Sequence, residues 1–101
     1  MIIVLTATDN KLIAIKIGNI LLKQKLIACY NLIPVKSAYW WKGKIKSSKE
    51  YLLILKSLEK NFKAIEDTIK KLSSYNTPEI VSVKTHTVNK KYFKWLENEV
   101  K

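Results

Sequence analysis

The sequence contains no arginine, although it is strongly basic. All nineteen basic residues are lysines, against eight acidic residues, which gives a formal net charge of +11. Arginine makes bidentate contacts to guanine, phosphate and carboxylate, so its absence weighs against specific nucleic-acid or phosphoester chemistry. Lysine still attracts polyanions without specificity, and we interpret the excess mainly as a solvated, compositionally biased surface.

Cysteine, histidine and glycine are also scarce. The single cysteine, Cys29, excludes an intramolecular disulfide and a Cys-x-x-Cys motif, and His86 has no second histidine with which to form a metal-binding pair. Gly18 and Gly43 lie too far apart for a glycine-rich nucleotide-binding loop. No apolar run approaches the roughly 20 residues of a membrane helix, and the N-terminus has no signal-peptide pattern. We therefore expect a cytoplasmic protein.

The length and composition are typical of one packed domain. The chain has 101 residues, of which 48% are hydrophobic, and single domains usually have about 100 to 150 residues. We therefore expect residues 1–101 to form a single domain with a hydrophobic core.

Hydrophobic patterning predicts four strands. A turn is predicted at Lys42-Gly43-Lys44, and the strands on either side of it are expected to form a hairpin. The second strand is expected to stop near Pro34, because proline cannot donate to a sheet ladder. The predicted strands are Ile2–Leu5, Leu26–Val35, Tyr51–Lys56 and Glu79–Thr87.

Three helices are predicted between and after these strands. The first is capped by Thr8 or Asp9, the second by Ser57 and the third by Asn89. Apolar residues recur at helical spacing in each of them. They are Ile13, Ile17, Ile20 and Leu21 in the first helix, Leu58, Phe62, Ile65, Ile69 and Leu72 in the second, and Tyr92, Leu96 and Val100 in the third.

The order β-α-β-β-α-β with an additional C-terminal helix predicts an α+β fold of the ferredoxin-like, split βαβ type. In this arrangement two helices cover one face of an antiparallel sheet. The other face must be wetted or covered by a partner, and we expect oligomerisation to cover it. Because copies with a charge of +11 repel one another, the lysines are expected to be dispersed outward.

Several residues have side chains that can carry chemistry. The aromatic set comprises Tyr39, Trp40, Trp41, Tyr75, Tyr92 and Trp95, which suits interface or core packing and also ligand contact. Glu79 and Lys56 are the best candidates for functional charges. Cys29 is expected to be a small buried hydrophobe, with a reactive thiol or a metal ligand as the alternative. His86 is expected to be an exposed polar residue, with a metal ligand or general base as the alternative.

Several sequence blocks stand in a characteristic order and spacing, although each would be weak alone. The blocks are Val4-Leu5-Thr6-Ala7, Leu26-Ile27-Ala28-Cys29-Tyr30-Asn31-Leu32-Ile33-Pro34, Ser37-Ala38-Tyr39-Trp40-Trp41-Lys42-Gly43, Glu50-Tyr51-Leu52-Leu53-Ile54-Leu55-Lys56-Ser57, Tyr75-Asn76-Thr77-Pro78-Glu79-Ile80, and Asn89 with Tyr92 and Trp95-Leu96. In these blocks the chain resembles the CutA divalent-cation-tolerance family along nearly its whole length.

This resemblance implies a homotrimer in which neighbouring subunits extend one another's sheets. It also implies a role in tolerance to divalent metals such as copper, a shape like that of the PII signalling trimers, and ligands at the clefts between subunits. The ligand-facing residues it implies are Asn31, Trp41, Lys56, Tyr75, Glu79 and Tyr92. No resident cofactor, no specific nucleic acid and no membrane partner are expected.

The sequence departs from the family at its proposed copper ligands. Those ligands are a thiol on the first strand and histidines before the Tyr-x-x-Pro-Glu block, and Leu5, Leu72 and Ser73 stand there instead. In addition, Val88 replaces a common glycine and Ser74 a usual proline. We therefore expect no dedicated metal site, and Cys29 and His86 are kept only as alternative ligands.

The sequence thus favours a binding or signalling module over an enzyme. The enzymatic alternative is a small acylphosphatase-like hydrolase, since that activity occurs on the same topology, although phosphate binding there would need a loop arginine. The third alternative is a polyanion- or RNA-binding ferredoxin-like module, which needs outward-facing aromatic residues on the central strands.

Overall fold

The chain folds into a four-stranded antiparallel sheet with three α-helices. The computed structural model describes residues 1–101, and its strands are arranged in the order β2-β3-β1-β4. The succession β-α-β-β-α-β with a C-terminal helix is the one that the sequence predicts. The elements are β1 (Ile2–Thr8), α1 (Lys11–Lys23), β2 (Cys29–Trp41), β3 (Lys44–Ser57), a 3₁₀ turn (Glu59–Asn61), α2 (Phe62–Leu72), β4 (Val81–Lys84) and α3 (Lys90–Glu99).

The core lies between one face of the sheet and the helices α1 and α2. Successive residues of a strand point to opposite faces, so alternate residues of the central strands enter the core. Val4 of β1 and its neighbour Leu55 of β3 are fully buried there. The helices supply Ala14, Ile17 and Leu21 from α1, and Ile65 and Ile69 from α2.

Strands β2 and β3 form one long hairpin with thirteen paired positions. Its two-residue turn consists of Lys42 and Gly43, whose φ angles are 51° and 76°. Positive φ at both positions is the geometry of a type I′ turn, whose twist matches that of the strands. The predicted turn is therefore confirmed, and the hairpin extends beyond the body of the sheet.

The expectation that a strand ends near Pro34 is wrong. β2 continues through Pro34, which pairs with Tyr51 of β3. Because β2 is an edge strand, it is bonded to a neighbour on one side only. A proline is tolerated at such a position when its missing N–H would point away from the neighbour.

Two predicted helix caps are also corrected. The first helix is capped by neither Thr8, which belongs to β1, nor Asp9. Its cap is Asn10, whose Oδ1 accepts a hydrogen bond from the backbone N–H of Ile13 at 3.1 Å. Ser57 is the last residue of β3, and its hydroxyl donates to the backbone oxygen of Leu26 at 2.5 Å. The predicted helix therefore begins later, at Phe62.

The last strand is shorter than predicted, and the last cap is confirmed. β4 covers Val81–Lys84 rather than Glu79–Thr87. Asn89 caps α3 by accepting a hydrogen bond from the backbone N–H of Tyr92 at 3.0 Å. Leu96 and Val100, which the helical spacing places on one side, are buried.

The sheet face opposite α1 and α2 is apolar and largely open. Ile33 of the edge strand β2 is 41% exposed, and Val81 and Val83 of the edge strand β4 are 46% and 47% exposed. Ile3 of β1 and Ile54 of β3 lie half-buried between them. Within one chain, Tyr92 of α3 contacts only the end of this surface, at Cys29 and Lys56. None of the helices is long and apolar enough to cross a membrane.

The lysines are dispersed as expected. Every lysine side chain is exposed except that of Lys56, which is half-buried. The ion pairs within 4.0 Å involve only Lys63, Lys70 and Lys84 as cations. Such exposed pairs stabilise a fold by about 0–1 kcal/mol each, so the fold depends on its apolar packing.

Candidate functional site

A large cleft lies between the hairpin and the segment that follows α2. Its volume is about 830 Å³, which is within the range of about 300–1,000 Å³ that is usual for small-molecule sites. It combines aromatic walls with charges of both signs. The residues that line it are Ala7, Lys36, Ser37, Ala38, Tyr39, Trp40, Trp41, Lys46, Glu50, Ser74, Tyr75, Asn76, Thr77 and Glu79.

The hairpin register brings the key side chains of this cleft to one face. Tyr39 and Trp41 are two residues apart on β2 and therefore point the same way. Glu50 of β3 pairs with Val35 of β2, which shares that parity, and Lys46 pairs with Tyr39. Directly opposed residues of an antiparallel pair point to the same face, so the acid and the aromatic rings share one face of the hairpin, with Glu50 four positions along it from Tyr39.

A hydrogen bond between Tyr75 and Glu50 closes the cleft from the other side. The phenol Oη of Tyr75 donates to Oε2 of Glu50 at 2.5 Å. The loop is held locally, because Ser73 Oγ accepts from the Tyr75 backbone N–H at 3.1 Å and the hydroxyl of Ser74 donates to Asp9 at 3.1 Å. These contacts hold the loop where the Tyr75 hydroxyl reaches the carboxylate.

The environment of this pair keeps the phenol protonated. Burial raises the pKa of Tyr75, and the hydrogen bond to Glu50 and the negative charge of that residue raise it further.

Glu50 is only 8% exposed, and no lysine nitrogen lies within 4.0 Å of its carboxylate. A buried carboxylate is normally paired with a cation, so Glu50 is an unusual acid in a chain with nineteen lysines.

A second cluster lies near the opposite end of the hairpin, where α3 meets the sheet. Cys29 Sγ is 3.8 Å from the Tyr92 hydroxyl, and Lys56 Nζ is 6.0 Å from the centroid of the Tyr92 ring. Trp95 packs at a tilt against Tyr92, with a centroid distance of 5.4 Å. Burial raises the pKa of Tyr92, the contact with Cys29 adds to the rise, and Lys56 opposes it.

The six residues implied by the family resemblance fall into two groups. Trp41, Tyr75 and Glu79 line the large cleft. Lys56 and Tyr92 belong to the second cluster, and Asn31 is an exposed residue of β2 two positions from Cys29. Asn31 and Trp41 are ten residues apart on one strand, which corresponds to about 33 Å at the usual rise of a strand. A single chain therefore does not bring the six together.

Glu50 is the main residue of the cleft that the predicted set lacks. The segment 44–49 before it contains only lysines, serines and one isoleucine, and gives no burial signal. The one available signal was the turn at Gly43. Counting the register back from that turn places position 50 opposite Val35, on the same face as Tyr39 and Trp41.

The metal-ligand alternatives are not brought together in one chain. Cys29 begins β2 and is half-buried rather than buried, whereas His86 is exposed beyond the end of β4. These strands are the two edges of the sheet, three strand spacings apart, which corresponds to about 14 Å. No three His, Cys, Asp or Glu side chains are grouped closely enough to hold a metal ion.

The order of the sequence blocks and the fold that carries them match one family. The family model described as "CutA1 divalent ion tolerance protein" matches residues 2–99. The chain belongs to the CutA1 family. Because the match spans both residue clusters, the large cleft and the second cluster are parts of a CutA1 fold.

Individual CutA1 relatives support this assignment along the whole chain. The divalent-cation tolerance protein CutA of Thermotoga maritima is 39% identical over 100 residues, which are 99% of each chain. The protein of the same name from Pyrococcus horikoshii is 42% identical over 100% of this chain and 99% of its own. The structure of the periplasmic divalent cation tolerance protein CutA from Archaeoglobus fulgidus superposes with a TM-score of 0.97, at 31% identity and with 100% of both chains covered.

Proposed function

We propose that this chain is a non-enzymatic binding and signalling module, active as a homotrimer in the response to divalent metal ions such as copper. Membership of the CutA1 family carries the proposal, since the relatives are named for divalent-cation tolerance. The strand order β2-β3-β1-β4 supports the ferredoxin-like arrangement on which such a trimer is expected to be built. The large cleft is the proposed ligand site.

The open sheet face and the free strand edges support the trimer. Ile33, Val81 and Val83 expose apolar surface on one face, and the outer edge of β2 leaves backbone groups unpaired along thirteen residues. A long exposed edge pairs readily with another chain. Strand extension between copies would pair those groups, and it would bring the second cluster of one subunit closer to the cleft of another.

Native mass spectrometry with and without Cu(II) is the first test. We expect a trimer in both samples. A trimer with stoichiometric copper would indicate direct binding, and Cys29→Ser and His86→Asn would then identify the ligand. A trimer without copper would indicate an indirect metal response, with another molecule in the cleft. A monomer at micromolar concentration would contradict the proposed assembly.

Two substitutions test the proposed roles of the cleft and of the second cluster. Trp41→Ala and Tyr92→Ala are expected to weaken trimer formation or ligand binding. Leu12→Ala is the matched control, because Leu12 is 76% exposed on α1 and contacts neither cluster. Equal stability and assembly in all three variants would contradict the proposed roles of Trp41 and Tyr92.

Metal tolerance itself is tested in cells. Expression of this chain in a bacterium that lacks its own CutA1 protein is expected to restore growth at inhibitory Cu(II). The Trp41→Ala variant is expected to restore growth less well.

The cytoplasmic location stays a prediction, which cell fractionation tests. The relative from Archaeoglobus fulgidus is described as periplasmic.

The hydrolase alternative is tested with an acyl phosphate. A phosphate-binding loop would require an arginine, which the sequence lacks. We expect no turnover of acetyl phosphate or benzoyl phosphate in a colorimetric assay. Turnover that depends on the protein would favour the enzyme over the binding module.

The nucleic-acid alternative is disfavoured by the open sheet face. On the central strands this face presents Ile3, Leu5, Leu52 and Ile54, which are all aliphatic. Base recognition on a sheet needs aromatic side chains for stacking. We expect fluorescence titrations with short RNA to give only weak binding that disappears as salt is raised.

A further inference from the structure

Glu50 is a buried carboxylate that has no cation of its own. It is 8% exposed, its Oε2 accepts from Tyr75, and none of the ion pairs within 4.0 Å includes it. Burial of an unpaired charge is costly, and a cation that enters the site would offset that cost. Because Glu50 lines the large cleft, such a cation can reach it from solvent.

Two tyrosines of the cleft lie on the two sides of this carboxylate. Tyr39 stands on the same face of the hairpin, and Tyr75 donates its phenol hydrogen to Glu50 from the loop after α2. Aromatic faces attract ammonium and guanidinium groups, most strongly where water is excluded. The chain contains one such contact at the hairpin turn, where Lys42 Nζ lies 5.7 Å from the ring centroid of Trp41.

The remaining charges define which cations fit. Lys36 and Lys46 also line the cleft, and both are exposed to solvent. Salt screens exposed charges far more than buried ones. A cation in the cleft is therefore attracted strongly by Glu50 at close range and repelled only weakly by the two lysines. The net charge of +11 repels every cation, and a polyvalent cation more strongly than a monovalent one. The charges therefore favour a ligand with a single positive charge, and the aromatic side chains favour an apolar body.

We propose that the cleft binds a small organic monocation, an amine or guanidine with a flat apolar body, whose charged group contacts Glu50 and whose body packs against Tyr39 and Tyr75. This inference rests on the proposed function, because it names the class of ligand for the same cleft. It adds a specific anchor, the Glu50 carboxylate, which belongs to no metal site.

Three compounds of one shape test the inference on the unmodified protein. They are 2-phenylethylamine, which is a cation at pH 7, 2-phenylethanol, which is neutral, and phenylacetate, which is an anion. Titration by calorimetry and by tryptophan fluorescence is expected to show the amine binding at least about tenfold more tightly than either isostere. Equal binding of the alcohol, or tighter binding of phenylacetate, would overturn the inference, as would no binding of the amine.

A charge-matched pair of variants locates the anchor. Glu50→Gln is expected to weaken amine binding at least about tenfold, because the amide keeps the shape and removes the charge. Glu97→Gln makes the same change on the exposed side of α3 and is expected to alter binding less than twofold. Equal effects of the two variants would overturn the inference. If Glu50→Gln does not fold, the comparison of the three compounds on the unmodified protein still decides it.

The same samples separate this inference from the proposed function. Native mass spectra of each titrated sample report the oligomeric state. A trimer that does not prefer the amine overturns the ligand class and leaves the proposed assembly standing. A monomer that prefers the amine supports the ligand class and contradicts the assembly.

Discussion

The ring of Tyr30 packs directly over Gly18, where no side chain other than hydrogen fits. A Cβ atom at position 18 would lie 2.7 Å from both Cδ2 and Cε2 of Tyr30. The ring is held in place, because the Tyr30 hydroxyl donates to Asn19 Oδ1 at 2.9 Å. This contact joins the middle of α1 to the edge strand β2.

Gly18→Ala is therefore expected to destabilise the protein, although alanine normally favours a helix. Overpacking a filled site costs about 1–3 kcal/mol, whereas alanine in place of glycine within a helix usually gains about 0.5–1 kcal/mol. The free energy of unfolding in urea, at a fixed chain concentration, measures the change. In a Tyr30→Ala background the same substitution should become neutral or stabilising. An equal loss in both backgrounds would show that the ring is not the cause.

The glycine of the hairpin turn is expected to respond for a different reason. Gly43 has φ +76° and open space around its Cα, so only backbone conformation opposes a side chain. Gly43→Ala should cost about 1–2 kcal/mol, the usual penalty of the left-handed region. Gly43→Asn should cost clearly less, because asparagine tolerates that region. Urea unfolding of the two variants provides the comparison, and equal losses would contradict the assigned turn geometry.

Ser57→Ala is expected to weaken the link between β3 and the end of α1. The Ser57 hydroxyl is fully buried and bonds to the Leu26 carbonyl, which Asn61 Nδ2 also approaches at 3.4 Å. Removing the donor should cost about 1–3 kcal/mol. Ser47→Ala on the exposed part of the hairpin is the control and should stay within about 0.5 kcal/mol. A Ser57 effect no larger than the control would mean that the hydrogen bond contributes nothing.

Tyr75→Phe is expected to change the alkaline stability of the protein. At pH 7 the variant loses the hydrogen bond to a buried carboxylate, which costs about 1–3 kcal/mol. The folded state raises the pKa of Tyr75, so above the ordinary tyrosine value of about 10 the unfolded chain binds fewer protons than the folded one. The contribution of Tyr75 is thus complete below that value and is lost as the pH rises further.

The measurement is the difference in unfolding free energy between the two proteins from pH 8 to pH 11. Because both proteins carry the same nineteen lysines, lysine titration cancels in the difference. The advantage of the unmodified protein should stay constant up to about pH 10 and shrink above it. A difference that grows with pH would contradict the assigned environment of Tyr75.

Local patterns in the sequence were sufficient for most of the architecture. The apolar run after Met1 predicted β1, and the spacing of Ile65 and Ile69 predicted α2, because burial on one face imposes these periodicities. The cap at Asn89 is also predictable from local sequence, because its side chain accepts a hydrogen bond from a residue only three positions away. Such signals need no knowledge of the rest of the chain.

The errors arose where a residue's role depends on its neighbours in space. Pro34 is accepted because β2 lies at the edge of the sheet, and Ser57 donates to Leu26 rather than capping a helix. Glu50 is buried where the loop that carries Tyr75 contacts the hairpin, and its carboxylate accepts a hydrogen bond from that tyrosine. No periodicity within residues 44–50 could have indicated this arrangement.

The two-residue turn at Lys42 and Gly43 also bears on the order in which the chain folds. Closing a short loop costs little entropy, and contacts between residues close in sequence form quickly. The thirteen residue pairs between β2 and β3 can therefore form early. The pairing of β1 with β4 is expected to form later, because it joins residues far apart in the sequence, such as Ile2 and Lys84. The outer edge of β2 would then be exposed before the domain is closed. In the proposed trimer, pairing along this edge would accompany folding, and refolding rates are then expected to depend on chain concentration.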